Sequence, residues 1–412
     1  MTESTRWYKG NLHMHSFWSD GKGFPEIIAC WFKDQGYHFI AFTEHDRLQE
    51  GHCWISTDPR ADPGSTIARD GLLQEYVQAL DDGWVQRRAG KEAEEIRLRP
   101  LAEYRQRFEQ PERFLIMTGE EISARWGEGP FGQVHWINAC NLETAIAPPP
   151  TQPSSTKAIR ATVEAGEATA RHSKRPVLIS LNHPNFEWNA TAEDIAAVKD
   201  LRFMEIHTAL NTCNNLGDDL HCGVERIWDV ALTLRLGELH GPPIYGLVTD
   251  DCHAYRPGHP VLGDWALPGR AWVMVRAAAL DASSIISGMD GGDFYGSSGV
   301  TLVDVGRDSN GMGLEIEPER GRRYRTRFIG TRRGYDPRRD PVVDDDGGEI
   351  RTTARYSDDI GRVLAERNDL VPTYAFRGDE LYVRAVVTSD VDHPNPSYPG
   401  QKTQAWTQPV VP

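Results

Sequence analysis

Hydrophobic positions along the chain fall into two regimes. Up to about residue 300, short apolar runs recur, each bounded by Gly, Pro or polar residues. Tyr37–Phe42, Phe114–Met117, Val134–Ala139, Val177–Leu181, Phe203–His207 and Ile244–Thr249 read as strands. Between several of them the apolar spacing turns helical, at Pro25–Gln35, Leu72–Phe108, Ser155–His172, Ala192–Lys199 and Asp219–Leu236. This alternation predicts an α/β fold on a parallel sheet, open or closed into a barrel. The stretch from Thr43 to Phe114 is too long for a plain strand-to-helix connection. It predicts an insertion, about 47–113, over one mouth of the sheet. A Gly/Ser-rich stretch, 288–299, ends the alternating regime. Beyond it Gly311–Pro318, Tyr324–Ile329, Arg351–Tyr356 and Leu381–Val387 alternate apolar and polar residues. That is the pattern of a small antiparallel β domain, 306–412, following a larger domain, 1–305.

Composition changes this picture little. The chain has 412 residues, 39% apolar and 25% charged, enough to bury a sizeable core. A net charge of −15 argues against nucleic acid or an anionic membrane as the main partner. A nucleotide held through a metal site stays open. Six cysteines without a CxxC pair predict a reducing compartment. The first residues show no basic stretch followed by an apolar one, and no apolar run reaches the length of a membrane span. The expected location is the cytoplasm. The number of subunits is not encoded in any pattern we read.

The chemical signal is where histidines and acids fall relative to the strands. His13 and His15 form an HxH pair, followed by Asp20 in SDG. His45 follows the run YHFIAF, Glu121 follows FLIM, and His135 lies in VHWIN. His183 follows VLISL, and Asp251 and His253 form a DxH just past IYGLVT. Nearly all sit at or near the C-terminal end of a predicted strand, which on a parallel barrel is one face. On an extended segment, residues i and i+2 point the same way, so HxH can chelate one ion. A single HxH is a weak signal, and a single histidine at a strand end is more often hydrogen-bonded structure. Six histidines, two aspartates and one glutamate in the same relation to successive strands exceed the needs of one ion. They predict two or three divalent ions, whose shared water becomes a hydroxide nucleophile near neutral pH.

At these residues the chain resembles the polymerase-and-histidinol-phosphatase (PHP) superfamily of metal-dependent phosphoesterases. NLHMHSFWSDG is similar to its first motif, FTEHD to its second, and GEEIS to its third, which selects Glu121 over Glu120. LNHP and DDCH are similar to its last motifs. The resemblance implies a distorted (β/α)7 TIM-like barrel with its ions at the strand C-termini. It implies that His13, His15, Glu121 and Asp251 hold one ion, and that Glu121 bridges to a second held by His135 and His183. Asp20, His45 and His253 would hold the third. The ions it implies are zinc, manganese or iron, and imidazole-rich sites suit transition metals. WYKGNLHMHS, GDFYGSSGV and YVRAVV resemble the stand-alone, carbaryl-hydrolase-like branch, which includes carbamate-cleaving enzymes. The expected activity is therefore hydrolysis of a small phosphomonoester or phosphodiester. A carboxylic or carbamic ester or amide is the alternative, and a non-catalytic, metal-stabilised binding module is the alternative of another class.

Other residues stay open between two readings. His207, two residues after Glu205, can stand behind the ligands or face substrate, or make a core hydrogen bond. Asp46 can orient His45, donate a proton to the leaving group, or cap the next segment. Arg60, Arg69 and Arg125 can bind an anionic group or be solvated surface charge. Trp18, Trp54, Trp126 and Trp188 can wall a substrate pocket or pack in the core. Cys252, between Asp251 and His253, should point away from the ligands by strand alternation.

Overall fold

A computed structural model describes residues 5–58, 71–81, 83–128, 133–258 and 263–412. The chain is a mixed α/β protein with two principal sheets. The larger runs in the order Arg362–Arg367, Tyr324–Arg332, Glu380–Asp392, Lys402–Thr407, Phe294–Ser297, Trp272–Ala277, Arg6–Asn11, Phe39–Ala41, Leu115–Met117. The smaller runs Tyr245–Thr249, Phe203–Thr208, Leu178–Leu181, Gln133–Cys140, Gly119–Trp126, Glu44–His45. The chain passes from the larger to the smaller twice, between Ala41 and Glu44 and at Thr118. A third link lies just beyond the strand ends. There Asp251 N donates to His13 O and His15 N to Cys252 O, each at 3.1 Å.

Four features depart from the sequence expectation. Gln133–Cys140 runs antiparallel to both neighbours, so the sheet is not uniformly parallel. Leu72–Phe108 is not one helix. It is helix Leu72–Leu80, the hairpin Arg87–Ala89/Glu94–Leu98 paired on to Cys53–Ser56, then helix Leu101–Phe108. Gly83, Gly90 and Pro100 interrupt a helical apolar spacing that was otherwise sustained. The Asp219–Leu236 helix starts only at Val224, because Asp218 accepts from the Leu220 and His221 amides and holds a turn. It ends in the wider turn Leu234–Glu238. Finally, Arg6–Asn11, Trp272–Ala277 and Phe294–Ser297 are strands that the apolar pattern did not reveal. The last lies inside the Gly/Ser-rich stretch. A Cβ on Gly296 would meet Val248 at 2.2 Å, so the small residue lets this strand lie against Tyr245–Thr249.

Beyond Asp290 the described residues contain strands and no helix. The larger sheet nevertheless runs across position 305. Tyr295 pairs with Thr407, Gly296 with Trp406 and Ser297 with Ala405. Tyr382, Val386 and Trp406 share one apolar core with Ile227 and Trp228 of helix Val224–Thr233. Among the described residues no helix is long and apolar enough to cross a membrane.

Local structure also fixes the strands that carry the site. The short helix Ala192–Ala197 opens with a capping box between Thr191 and Asp194. Its far end is covered by the buried Arg235 guanidinium, which donates to the carbonyls of Ile195, Ala196, Val198, Lys199 and Leu201. This fastening sits between Leu178–Leu181 and Phe203–Thr208, the strands that lead to His183 and carry Glu205.

Candidate metal centre

Eight of the nine residues expected as ligands meet at one end of the sheets. His13 and His15 lie just past Arg6–Asn11, where the extended chain turns both imidazoles to one side. Their Nε2 atoms stand 3.1 and 3.3 Å from Asp251 Oδ1. They stand 3.3 Å from Glu121 Oε1 and Oε2 respectively. His183 Nε2 is 3.4 Å from Glu121 Oε1. Asp20 Oδ1 lies 3.5 Å from His45 Nε2 and 3.4 Å from His253 Nε2. Three overlapping groups result: His15, Asp20, His45 and His253; His13, His183 and Asp251; and His13, His15 and Glu121. The SDG turn can bring Asp20 here because position 21 is glycine. A Cβ there would meet the His15 carbonyl at 2.3 Å.

The donor set fits divalent transition-metal ions. His13 Nε2, His15 Nε2 and Asp251 Oδ1 are buried and have no hydrogen-bond partner. Leaving buried polar atoms without a hydrogen bond costs about 1–3 kcal/mol each, and a metal ion is one partner that such a cluster could hold. Donors about 2.0–2.1 Å from a tetrahedral zinc ion stand about 3.3–3.4 Å apart. The ligand-atom separations above match that edge. Electrostatics point the same way. Burial opposes charge on the His15 imidazole, yet Asp251, Glu121 and Asp20 push it up to about 10. Burial likewise opposes protonation of His13 and His183, and the surrounding carboxylates raise both. Burial would raise Glu121 and Asp251, but the imidazoles hold both carboxyls low. The site attracts positive charge from every side.

Supporting groups orient the ligands. Glu205 holds His13 Nδ1 at 2.7 Å and accepts from His183 N, Thr208 Oγ1 and Thr249 Oγ1. That fixes the His13 ring so that Nε2 faces the centre. Asn182 Nδ2 donates to Glu121 Oε1 at 2.8 Å. Buried Glu44 accepts from Ser16 Oγ at 2.5 Å and from Gln49 Nε2 at 2.6 Å, and also from Ser19 Oγ. Glu44, Asn182, Thr208 and Thr249 were not singled out from sequence. Each is a common residue next to a motif, and only the fold shows what it touches. Asp46, His183 and Asp251 all take positive φ without being glycine, a conformation that surrounding structure must enforce.

His135 is the expected ligand that the fold does not bring in. Its register partner is Ala124, and its ring stacks on Trp126 at 5.8 Å and bonds Ser155 Oγ at 2.8 Å. Successive side chains on a strand point to opposite faces. Since Trp136 and Asn138 face inward, His135 faces the helix Ser155–Ser173. Burial there lowers it to about 3. His207 also lies outside the cluster, buried against Trp406 at 5.3 Å and beside Gln401, and burial with His393 and Arg270 lowers it to about 3. The Asp46 side chain is not among the grouped donors, although its N–H donates to Glu121 O at 2.9 Å. It accepts from Ser123 N and Oγ at 2.7 and 2.8 Å, tying the His45 segment to the Glu121 strand.

A cavity of about 400 Å³ opens on the ligands and is lined by Asp20, His45, Glu121, Asp251 and His253 together with Ser123, Arg125 and Trp136. None of the four tryptophans weighed from sequence lines it. Trp18 is core, Trp54 lies under Arg88, Trp126 faces His135, and Trp188 stacks on His221. Cys252 faces the core beside Tyr255. Arg60 and Arg69 lie outside the described residues.

No family model matches the chain, and no curated protein matches it. Among solved structures it is similar to a protein from Bacteroides vulgatus described as a two-domain protein containing a predicted PHP-like metal-dependent phosphoesterase. The two share 14% identity over 98% of this chain and 95% of that one, with a TM-score of 0.39.

Proposed function

We propose that the chain is a metal-dependent hydrolase of the PHP kind, which holds two or three divalent transition-metal ions and cleaves a small phosphomonoester or phosphodiester. The observation that carries this is the convergence of three buried ligand atoms without a hydrogen bond, His13 Nε2, His15 Nε2 and Asp251 Oδ1, directly behind a cavity that Asp251, Glu121 and His183 line. In this reading the strand pairings, with the link between His13–His15 and Asp251–Cys252, close a distorted seven-stranded barrel. His13, His15, His183, Glu121 and Asp251 hold ions at its floor, and Asp20, His45 and His253 hold one nearer solvent.

Bound divalent ions supply Lewis acidity and lower the pKa of water. The chain's own groups do the rest. Glu205 keeps His13 in the tautomer that presents Nε2. Ser123 and Asp46 position the segment bearing His45. His135 and His207 take no part at the reacting atoms. Six free cysteines suit a reducing compartment, which we take to be the cytoplasm.

Metal analysis of the purified chain tests the reading. Two or three zinc, manganese or iron ions per chain are expected, and one or none overturns it. Turnover of p-nitrophenyl phosphate or bis-p-nitrophenyl phosphate by that preparation is the second expected result. A carboxylic or carbamic ester or amide is the competing substrate class. The half-buried Trp136 and Phe186 and the buried Leu210 on the cavity wall favour it. Hydrolysis of a naphthyl carbamate with neither phosphate ester cleaved would select it. No turnover of any ester by the metal-loaded chain would leave a metal-stabilised binding module.

A further inference from the structure

Two paired strands run outward from the metal centre. Gly119–Trp126 and Gln133–Cys140 are antiparallel, and their register sets Glu121 opposite Asn138, Ser123 opposite Trp136, and Arg125 opposite Val134. Alternate residues of a strand share a face, so these six side chains stand on the face that carries Glu121. On that face one column reads carboxylate, hydroxyl, guanidinium. The facing column reads amide, indole, isopropyl. Glu121, Ser123, Arg125, Val134 and Trp136 all line the cavity. Four residues of strand separate Glu121 from Arg125, about 13 Å between Cα atoms at roughly 3.4 Å per residue.

The two halves of this ribbon have different chemistry. Near the centre, Glu121 is committed to the imidazoles. In the middle, the half-buried Trp136 packs edge-on to Phe186 with ring centroids 5.3 Å apart, and lies 5.7 Å from His183. Its indole N–H meets no acceptor among the described residues, and Ser123 Oγ is already donated to Asp46. The middle of the cavity is therefore an aromatic surface. At the outer end Arg125 is exposed, and among the described residues its guanidinium has no ion-pair or hydrogen-bond partner. In a chain of net charge −15, a cation without a partner at a cavity rim stands apart.

We propose that this ribbon measures the substrate. Its reacting group lies at Glu121, an aromatic or other flat apolar segment lies on Trp136, and a terminal anionic group meets Arg125. The substrate class is an elongated ester or amide with an apolar middle and a carboxylate or phosphate at the far end. This rests on the metal-hydrolase reading and adds a specificity that the metal centre alone does not supply. Trp136 and Arg125 are specificity residues and not ion ligands.

Equilibrium binding to the metal-loaded full chain tests it with three probes: methylphosphonate, phenylphosphonate and 4-phosphonobenzoate. The expected affinities rise in that order, with at least a tenfold gain at the phenyl step and about fivefold at the carboxylate. Trp136→Ala should remove the phenyl gain and leave methylphosphonate within about threefold, with metal content unchanged. Trp136→Phe should keep most of the gain, which separates ring contact from a packing defect. Arg125→Gln, at an exposed position, should remove only the carboxylate gain. Equal affinities for the three probes on a chain that holds its ions would overturn the ruler and leave the hydrolase standing. So would an Arg125→Gln chain that keeps the carboxylate gain. A chain that holds one ion or none and binds no probe would overturn both.

Discussion

Two buried polar regions of this protein follow opposite rules. On the flank, where helix Val224–Thr233 meets the C-terminal strands, Arg384 and the acids of the helix match one another. Arg384 donates to both oxygens of Asp229 at 2.8 and 2.7 Å and to Glu225 at 3.1 Å, and Tyr382 adds its hydroxyl to Asp229 at 2.8 Å. At the mouth, His13, His15, Glu121 and Asp251 are just as buried, yet Asp251 Oδ1 stands 3.1 and 3.3 Å from two imidazole nitrogens and none of these three atoms makes a hydrogen bond. The flank is complete as protein. The mouth gathers its donors into groups that could hold metal ions. Burial by itself therefore does not mark a functional site; several imidazoles and carboxylates converging within burial do.

The contrast can be broken in a definite order. Removing an ion ligand should have the largest effect. His13→Ala or Asp251→Ala is expected to take hydrolysis below detection and to lower the ion count, while the fold persists by circular dichroism. His135→Gln should leave the ion count unchanged; loss of an ion there would put His135 back among the ligands. Next comes the flank. Asp229→Asn strands a buried guanidinium, and about 3–5 kcal/mol of stability should be lost in denaturant titration. Its ion count should not move.

Glu205 lies between the two regions, fully hydrogen-bonded itself and holding a ligand. Glu205→Gln should weaken metal affinity by about 10–100-fold, read by competition with a chelator. An unchanged affinity would mean that His13 is oriented without it.

The most gradual effect is one of pH. His135 and His207 are both held near 3, chiefly by burial. Both are neutral in the folded chain, whereas the unfolded chain takes up protons below about 6.5. Stability should therefore fall as pH drops from about 6.5 towards 3, by up to about 1.4 kcal/mol per pH unit for each group. Unfolding titrations of the metal-free chain should show a shallower slope in His207→Asn than in the parent. Equal slopes would mean that His207 is hydrated or paired in solution.

Much of this was legible in the sequence, for local reasons. Pro25–Gln35, Ser155–His172 and Ala192–Lys199 emerge as helices within a few residues, because their apolar spacing is sustained and Gly166 is the one glycine inside them. The β character of the C-terminal region follows from its strict alternation. Where the reading failed, a nonlocal contact decided. Phe294–Ser297 lies in a stretch that reads as linker. It is a strand because Trp272–Ala277 and Lys402–Thr407 pair with it on either side. The Leu72–Phe108 segment shows the opposite error, where a sustained period hid three breakers.

The sequence by itself determined the chemistry available: histidines and acids at the ends of apolar runs, with spacings that let pairs share an ion. Tertiary structure decided which of them meet. His135 and Trp136 are adjacent in the chain, and either could face the centre. The antiparallel register of Gln133–Cys140 against Gly119–Trp126 turned the indole inward and the imidazole out. A strand repeats every two residues, so its pattern defines two faces. Which face meets the candidate site is set by the partner strand, and no local signal in the chain records it.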